Sequence, residues 1–252
     1  MVRTFFAAIV LLLYLIIWLP LLGILLLVHR KNPQAAGWFT QKWATPTLRL
    51  ILLIAGCRIS VRGIENIPRD RAVLFAGNHK SIFDIVLAIM YLPVHSAFIA
   101  KKELAAYPIF AQWAVVLDAL FMDRKDLKQE LKTVLCAIDK VKNGSCVFIC
   151  PEGTRDKSGD PLSVLPFKEG SLKIAEKSGC PVVPVAFYGT DDILERHFPS
   201  LKPCHVSMEF GKPFYTKDLP AEQKKKSGEY TREIVLKMLR EEQGRRNAET
   251  GV

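Results

Sequence analysis

The stretch AVLFAGNHKSIFDIVLAIMY, residues 72–91, decides the fold class. Its first seven residues are an apolar run of strand length, and the residues near 82–91 carry apolar side chains at helical spacing. A polar turn, His79 to Ser81, separates the two. Strand, turn and helix in this order begin an α/β unit. Short apolar runs of the same kind recur as SAFIA (96–100), LDALFMD (117–123), CVFIC (146–150), VVPVAFYG (182–189) and HVSMEFG (205–211), all strand candidates. Helix candidates lie near 102–115, 126–142 and 168–178, the last stopping at Ser178-Gly179. This alternation predicts an α/β fold whose central sheet is mixed, mostly parallel, and flanked by helices. Tyr230, Ile234, Val235, Met238 and Leu239 mark one face of a last helix, and the polar tail beyond it is expected to fray.

Upstream of this body the composition changes. Residues 5–28, FFAAIVLLLYLIIWLPLLGILLLV, carry no charge. At about 1.5 Å per residue such a helix would be about 36 Å long, against a hydrocarbon core of about 30 Å. Pro20 and Gly23 can bend it, which leaves a helix that re-enters one leaflet as the alternative. A cleaved signal peptide fits less well, because the apolar region is too long and no small-x-small site precedes HRKN. Arg30, Lys31, Lys42, Arg49, Arg58 and Arg62 follow the segment, whereas Arg3 alone precedes it. The positive-inside rule then puts the body on the cytoplasmic side of an inner or cytoplasmic membrane. The run LILLIAGC (50–57) is too short to span. With Trp38, Phe39 and Trp43 before it, it reads either as an interfacial helix with aromatic anchors or as an ordinary core helix. The chain thus divides into membrane-associated helices (1–57), an α/β domain (58–220) and a C-terminal amphipathic helix with a polar tail (221–252).

Lys plus Arg number 35 against 25 Asp plus Glu, a net charge of +10, which suits an anionic partner. Basic residues are not interleaved with aromatics, and neither helix-turn-helix nor zinc-finger spacing occurs, so nucleic acid is not the expected partner; membrane lipid is. The six cysteines include no CxxC pair and read as small buried hydrophobes in a reducing compartment. The absence of GxSxG disfavours a lipase-type serine hydrolase, and the absence of GxxxxGK[ST] and GxGxxG leaves nucleotide binding without support. No HExxH or Cys/His cluster points to a catalytic metal.

The polar residues that matter follow the predicted strands, where α/β sheets gather their chemistry. His79 and Asp84 stand five positions apart. A general base needs its imidazole held by a carboxylate on the far ring nitrogen, and a fold-back of His79 over the first helical turn would supply that. On spacing alone a capped helix start with both side chains in solvent serves as well. Lys101 and Lys102 in AKKEL, and Arg124 in FMDR, place positive charge after two further runs. In CPEGTR, Pro151 and Gly153 force a turn from which Glu152 and Arg155 project, and the guanidinium fork of Arg155 matches phosphate oxygens. Lys168, near the next helix start, is a further candidate anion contact.

NHKSIFD, AKKEL, FMDR, PEGTR and VVPVA, in this order, resemble the glycerolipid acyltransferase family, most closely its lysophosphatidic acid acyltransferase branch. The resemblance covers roughly residues 60–215. It implies transfer of a fatty acyl group from acyl carrier protein or coenzyme A to the free hydroxyl of lysophosphatidic acid, with no metal or organic cofactor. Another glycerolipid acceptor, or a non-catalytic module for anionic lipid, is the alternative. By the same resemblance His79 is the base and Asp84 its orienting partner. Glu152, Gly153, Thr154 and Arg155 match a glycerophosphate-binding block, with Arg124 and Lys101 or Lys102 adding charge around the phosphate. Pro184 belongs to a block associated with the fold and the acyl site. Met122 stands where many relatives have isoleucine, a volume-conserving change. Ser81 is not expected to be a nucleophile, because direct transfer needs none.

Overall fold

The computed structural model describes residues 1–250. Seven strands form one sheet in the order β1-β7-β6-β2-β5-β3-β4. They are β1 (Arg58–Arg62), β2 (Leu74–Gly77), β3 (Ser96–Lys101), β4 (Leu120–Met122), β5 (Cys146–Ile149), β6 (Val182–Tyr188) and β7 (His205–Phe210). Every neighbouring pair is parallel except β6 and β7. β2 and β5 are buried along their whole length, as continuous apolar runs require when helices cover both faces of a sheet. Pro184 is tolerated inside β6 because the ladder to β7 begins only at Val185, and on that side Pro184 takes part through its carbonyl, which accepts from Gly211 N at 2.8 Å.

β1 was not among the strands expected. RISVR alternates polar and apolar residues over one edge strand and lacks the apolar run that marks the others. β4 is also shorter than the expected 117–123, because Asp118 adopts a left-handed φ of 64° and starts the strand late. The helix expected near 102–115 is divided into a 3-10 turn, Lys102–Ala106, and α5, Pro108–Val116, since a proline fits a helix start better than its middle.

The helices before α5 are α1 (Val2–Ile17), α2 (Leu19–Lys31), α3 (Pro33–Ala55) and α4 (Ile82–Tyr91); after it come α6 (Leu127–Lys142), α7 (Glu169–Ser178), α8 (Ala221–Lys225) and α9 (Ser227–Thr250). One sheet face packs on α3 and α4 through Leu52, Ala55, Leu87 and Ala88; the other packs on α6 and α7 through Ala137, Leu172 and Ile174. The apolar segment 5–28 is broken at Trp18 into α1 and α2, which meet at a 60° bend. Pro20 lies in the first turn of α2, where its missing N–H costs nothing. Among the described residues no single helix is long and apolar enough to cross a membrane, although the bent pair meets the length and composition together. The run 50–57 is the last part of α3 and its cap: Ile51, Leu52 and Ala55 face the core while Leu50 and Leu53 stay exposed.

The C-terminal tail does not fray within the described residues. α9 continues to Thr250 because its polar residues find partners on the body. Glu242, nearly buried, accepts from Arg62 at 2.6 Å; Arg246 donates to the His205 carbonyl at 2.8 Å and sits over the Tyr188 ring. Val235, Met238 and Leu239 bury the apolar face against Ala186 and Phe167. Cys146 and Cys180 are buried as expected of small hydrophobes, but Cys136 is exposed on α6.

Candidate active site

The turns after β2, β3, β4, β5 and β6 all open at the carboxyl edge of the parallel strands, so the polar motifs share one rim of the sheet. At its centre β2 stops hydrogen bonding through its backbone, and the fully buried Asn78 side chain takes over. Its Oδ1 accepts from Phe187 N at 2.8 Å and its Nδ2 donates to Phe187 O at 2.9 Å. This amide extends the pairing of β2 with β6 by one step and fixes where His79 leaves the sheet.

Ser81 is the N-cap of α4, its Oγ accepting from Phe83 N at 3.0 Å, and Asp84 completes a capping box at N3. Asp84 is fully buried. Its Oδ2 accepts from Lys80 N and Ser81 N, both at 2.8 Å, and from His79 Nδ1 at 2.9 Å; its Oδ1 accepts from Thr190 Oγ1 at 2.5 Å. The capped helix start and the oriented histidine are therefore one arrangement, not two alternatives. A carboxylate already serving three other donors takes the Nδ1 proton as well, which leaves the lone pair of His79 on Nε2. The hydroxyl of Ser81 is committed to Glu195 Oε2 at 2.6 Å and is not free to attack.

The loop after β5 is laced onto this turn. Glu152, 6% exposed, accepts from His79 N at 2.5 Å and from Leu165 N at 2.8 Å. Both of its oxygens are thereby occupied by main-chain donors. The glutamate of the PEGTR block thus holds the histidine's backbone. Burial pushes its carboxyl up to about 7, against the two backbone bonds, which pull the other way. Asp156 N donates to His79 O at 2.8 Å, and the buried Lys80 ammonium donates to Asp156 Oδ2 and Asp160 O, each at 2.6 Å.

A consequence of Glu152 can be measured. Its folded-state pKa, about 7, lies above the ordinary 4.5, so the folded protein binds this proton more tightly than the unfolded chain. Stability therefore falls as pH rises from about 4.5 to about 7 through this group. Glu152→Gln is expected to remove that slope from a Tm series across the window. It also sets an amide NH₂ against a backbone N–H, and stability is expected to drop by about 1–3 kcal/mol, the cost of one unsatisfied buried group.

The expected basic residues separate. Arg155 is 43% exposed, with Nη1 donating to Glu195 Oε1 at 2.9 Å. It lines a cleft with Lys80, Lys157 and Arg196. Arg124 lines a different cleft, with Lys168, Gly153, Cys150 and Met122. Its Nη1 donates to the Gly153 carbonyl, its Nε is buried without a partner, and burial lowers its pKa. Lys168 lies 3.3 Å from Glu130. Lys101 and Lys102 remain on the surface, paired with Glu103 and Asp123 at 3.1 Å each, and Thr154 is exposed on its turn. Gly153 has a left-handed φ of 73°, and a Cβ there would press on the Lys168 side chain, which accounts for glycine in the turn.

Asn78, Lys80, Asp156, Thr190 and Glu195 were not expected. Asn78 and Lys80 sit inside the motif, yet a lone amide and a lone lysine carry no spacing signal. Thr190 and Glu195 lie in the 3-10 turns after β6, more than 100 residues from the Asp84 and Ser81 side chains they meet.

A family model of acyltransferases matches residues 58–188. A 1-acyl-sn-glycerol-3-phosphate acyltransferase of Borreliella burgdorferi is 28% identical over 195 residues, covering 77% of this chain and 74% of that protein. The corresponding protein of Cocos nucifera is 33% identical over 175 residues, covering 68% of this chain and 54% of its own length. The crystal structure of the 1-acyl-sn-glycerophosphate (LPA) acyltransferase PlsC from Thermotoga maritima aligns over 95% of both chains at 26% identity, with a TM-score of 0.77. The family's region begins at β1 and ends at the last residue of β6, so it contains the whole His79–Asp84 turn and the loop that braces it. The chain belongs to the acyltransferase family.

Proposed function

We propose that the protein transfers a fatty acyl group from an acyl thioester to the free hydroxyl of lysophosphatidic acid, forming phosphatidic acid for phospholipid synthesis. The observation that carries this reading is the 2.9 Å bond between His79 Nδ1 and the fully buried Asp84 after β2, with Arg155 presented from the loop after the neighbouring β5. The names of the relatives support the acceptor. In this mechanism Nε2 of His79 removes the proton of the acceptor hydroxyl as its oxygen attacks the thioester carbonyl. Asp84 stabilises the imidazolium that forms. The tetrahedral intermediate then collapses, the C–S bond breaks, and the leaving thiolate takes the proton back from Nε2. Arg155, with Arg124 and Lys168 in the neighbouring cleft and Lys101 or Lys102 at the rim, supplies positive charge for the acceptor's phosphate.

The apolar helices complete the reading. Phe5, Leu12, Ile24, Leu27 and Trp38 are exposed along α1, α2 and α3, a surface suited to the cytoplasmic leaflet of the membrane that holds the acceptor. The body, with its basic rim, then works on the cytoplasmic side. The carrier of the acyl group is acyl carrier protein or coenzyme A.

One activity matrix tests the proposal. Membrane fractions containing the protein are given lysophosphatidic acid, glycerol 3-phosphate or a neutral lysophospholipid, each with acyl-coenzyme A and with acyl carrier protein. Phosphatidic acid is the expected product. Thioester consumption only with another acceptor would replace the substrate, and liposome binding without any consumption would replace the enzyme. Arg155→Ala is expected to raise KM for lysophosphatidic acid about tenfold with kcat nearly kept, the loss of one charge-assisted contact. A fall in kcat at unchanged KM would remove its anchoring role.

A further inference from the structure

We infer that Glu195 is a positioning residue for the acceptor: it fixes the head of Arg155 relative to the helix that carries the catalytic pair. This rests on the acyl-transfer reading above, in which Arg155 meets the acceptor phosphate. Glu195 opens the 3-10 turn Glu195–His197, in the connection between β6 and β7, and its side chain is 22% exposed. Its two oxygens serve three donors on two different segments. Oε2 accepts from Ser81 Oγ at 2.6 Å, while Oε1 accepts from Ile82 N and from Arg155 Nη1, each at 2.9 Å. Ser81 and Ile82 are the N-cap and first residue of α4, three residues or fewer from His79 and Asp84.

Glu195 thus does two separable things. It caps α4, where a carboxylate is favoured by the free N–H groups and the positive end of the helix dipole. It also holds a long, half-exposed arginine that would otherwise sample many rotamers. The backbone of that arginine is pinned by its neighbour, because Asp156 donates from its N–H to the His79 carbonyl and receives Lys80. Only the guanidinium is left to be placed, and Glu195 places it. A guanidinium has five N–H donors, so one bond to Glu195 leaves the others for phosphate oxygens. The span from phosphate anchor to base is then set before the acceptor arrives. That preorganisation is worth most for an acceptor with its phosphate and hydroxyl on one glycerol frame.

The substitution Glu195→Gln separates the two roles. The glutamine oxygen can still accept from Ile82 N and its amide can face Ser81 Oγ, so the cap persists while the charge opposite Arg155 is lost. The full chain in its membrane fraction is expected to show KM for lysophosphatidic acid raised about tenfold, with kcat within twofold of wild type. In an Arg155→Ala background the same change is expected to add less than twofold, because Glu195 acts through that arginine. A lowered kcat at unchanged KM, or a full effect in the Arg155→Ala background, would reduce Glu195 to a helix cap and overturn the inference. Lysophosphatidic acid is also titrated into the same four purified proteins in detergent micelles without thioester. Kd is expected to follow the KM pattern. This arm reads the inference even if the wild type proves unable to turn over, an outcome that would count against the acyl-transfer reading alone.

Discussion

Replacing His79 by alanine is expected to lower kcat by about 10²- to 10⁴-fold, the contribution of a positioned general base, while the fold persists. The reason lies in how the ring is held. Its Nδ1 is committed to Asp84, and its backbone is tied through Glu152 and Asp156, so the side chain itself bears little of the structure. Removing the imidazole takes one of four donors from Asp84 and leaves Lys80 N, Ser81 N and Thr190 Oγ1 in place. The melting temperature should therefore move by only a few degrees. Asp84→Asn is expected to behave differently. The amide oxygen can still face Lys80 N, Ser81 N and His79 Nδ1 while its NH₂ meets Thr190 Oγ1, but the negative charge that these buried donors share is gone, so activity and stability fall together. Acyl-transfer rates and melting curves of the two variants check the contrast, and a fully active His79→Ala protein would remove the base assignment.

The largest loss of stability is expected from Lys80→Met, about 3–5 kcal/mol, the cost of leaving one member of a buried ion pair alone. Lys80 and Asp156 are 2% and 4% exposed, and their charges meet at 2.6 Å. Burial by itself would raise the Asp156 carboxyl, but the Lys80 ammonium, helped by Ser158 and Ser163, outweighs it and holds the pKa at about 2. This depressed pKa contributes stability above about pH 3.8 that is lost as pH falls towards 2. In a chain of this size the loss corresponds to a Tm lower by roughly 6–20 °C at neutral pH. Methionine fills the lysine's volume, so the fall reports the charge and not a cavity. Adding Asp156→Asn removes the stranded charge and is expected to recover a large part of it. If Lys80→Met melts within a degree or two of wild type, the pair does not hold the loop. The loop also carries Arg155, so activity should fall with stability at temperatures near the new Tm.

Both expectations concern residues that share one short motif, yet only one of them was legible in the chain. His79 and Asp84 stood out because imidazole and carboxylate at that spacing, after a strand, fit a known chemistry, and because the later strand ends carried basic turns in a familiar order. Lys80, between them, looked like any solvated lysine. Its partner Asp156 lies 76 residues away, and burial of both arises only when β2 and β5 pair side by side. Glu152 shows the opposite case. Its motif stood out in the chain, but only the pairing of those same strands reveals its two backbone donors.

The sequence by itself determined the alternation of strands and helices in the body, the apolar N-terminal segment and the set of polar turns that follow the strands. Those features depend on local periodicity and on residue types, which a linear reading preserves. Tertiary structure decided the rest: an edge strand at β1, the docking of α9, the division of the basic residues between two clefts, and the bracing of the histidine by Glu152, Asp156, Thr190 and Glu195. The physical reason is that a hydrogen bond or buried ion pair between distant residues leaves no period in the chain. It exists only where the sheet order brings the ends of β2, β5 and β6 to one rim.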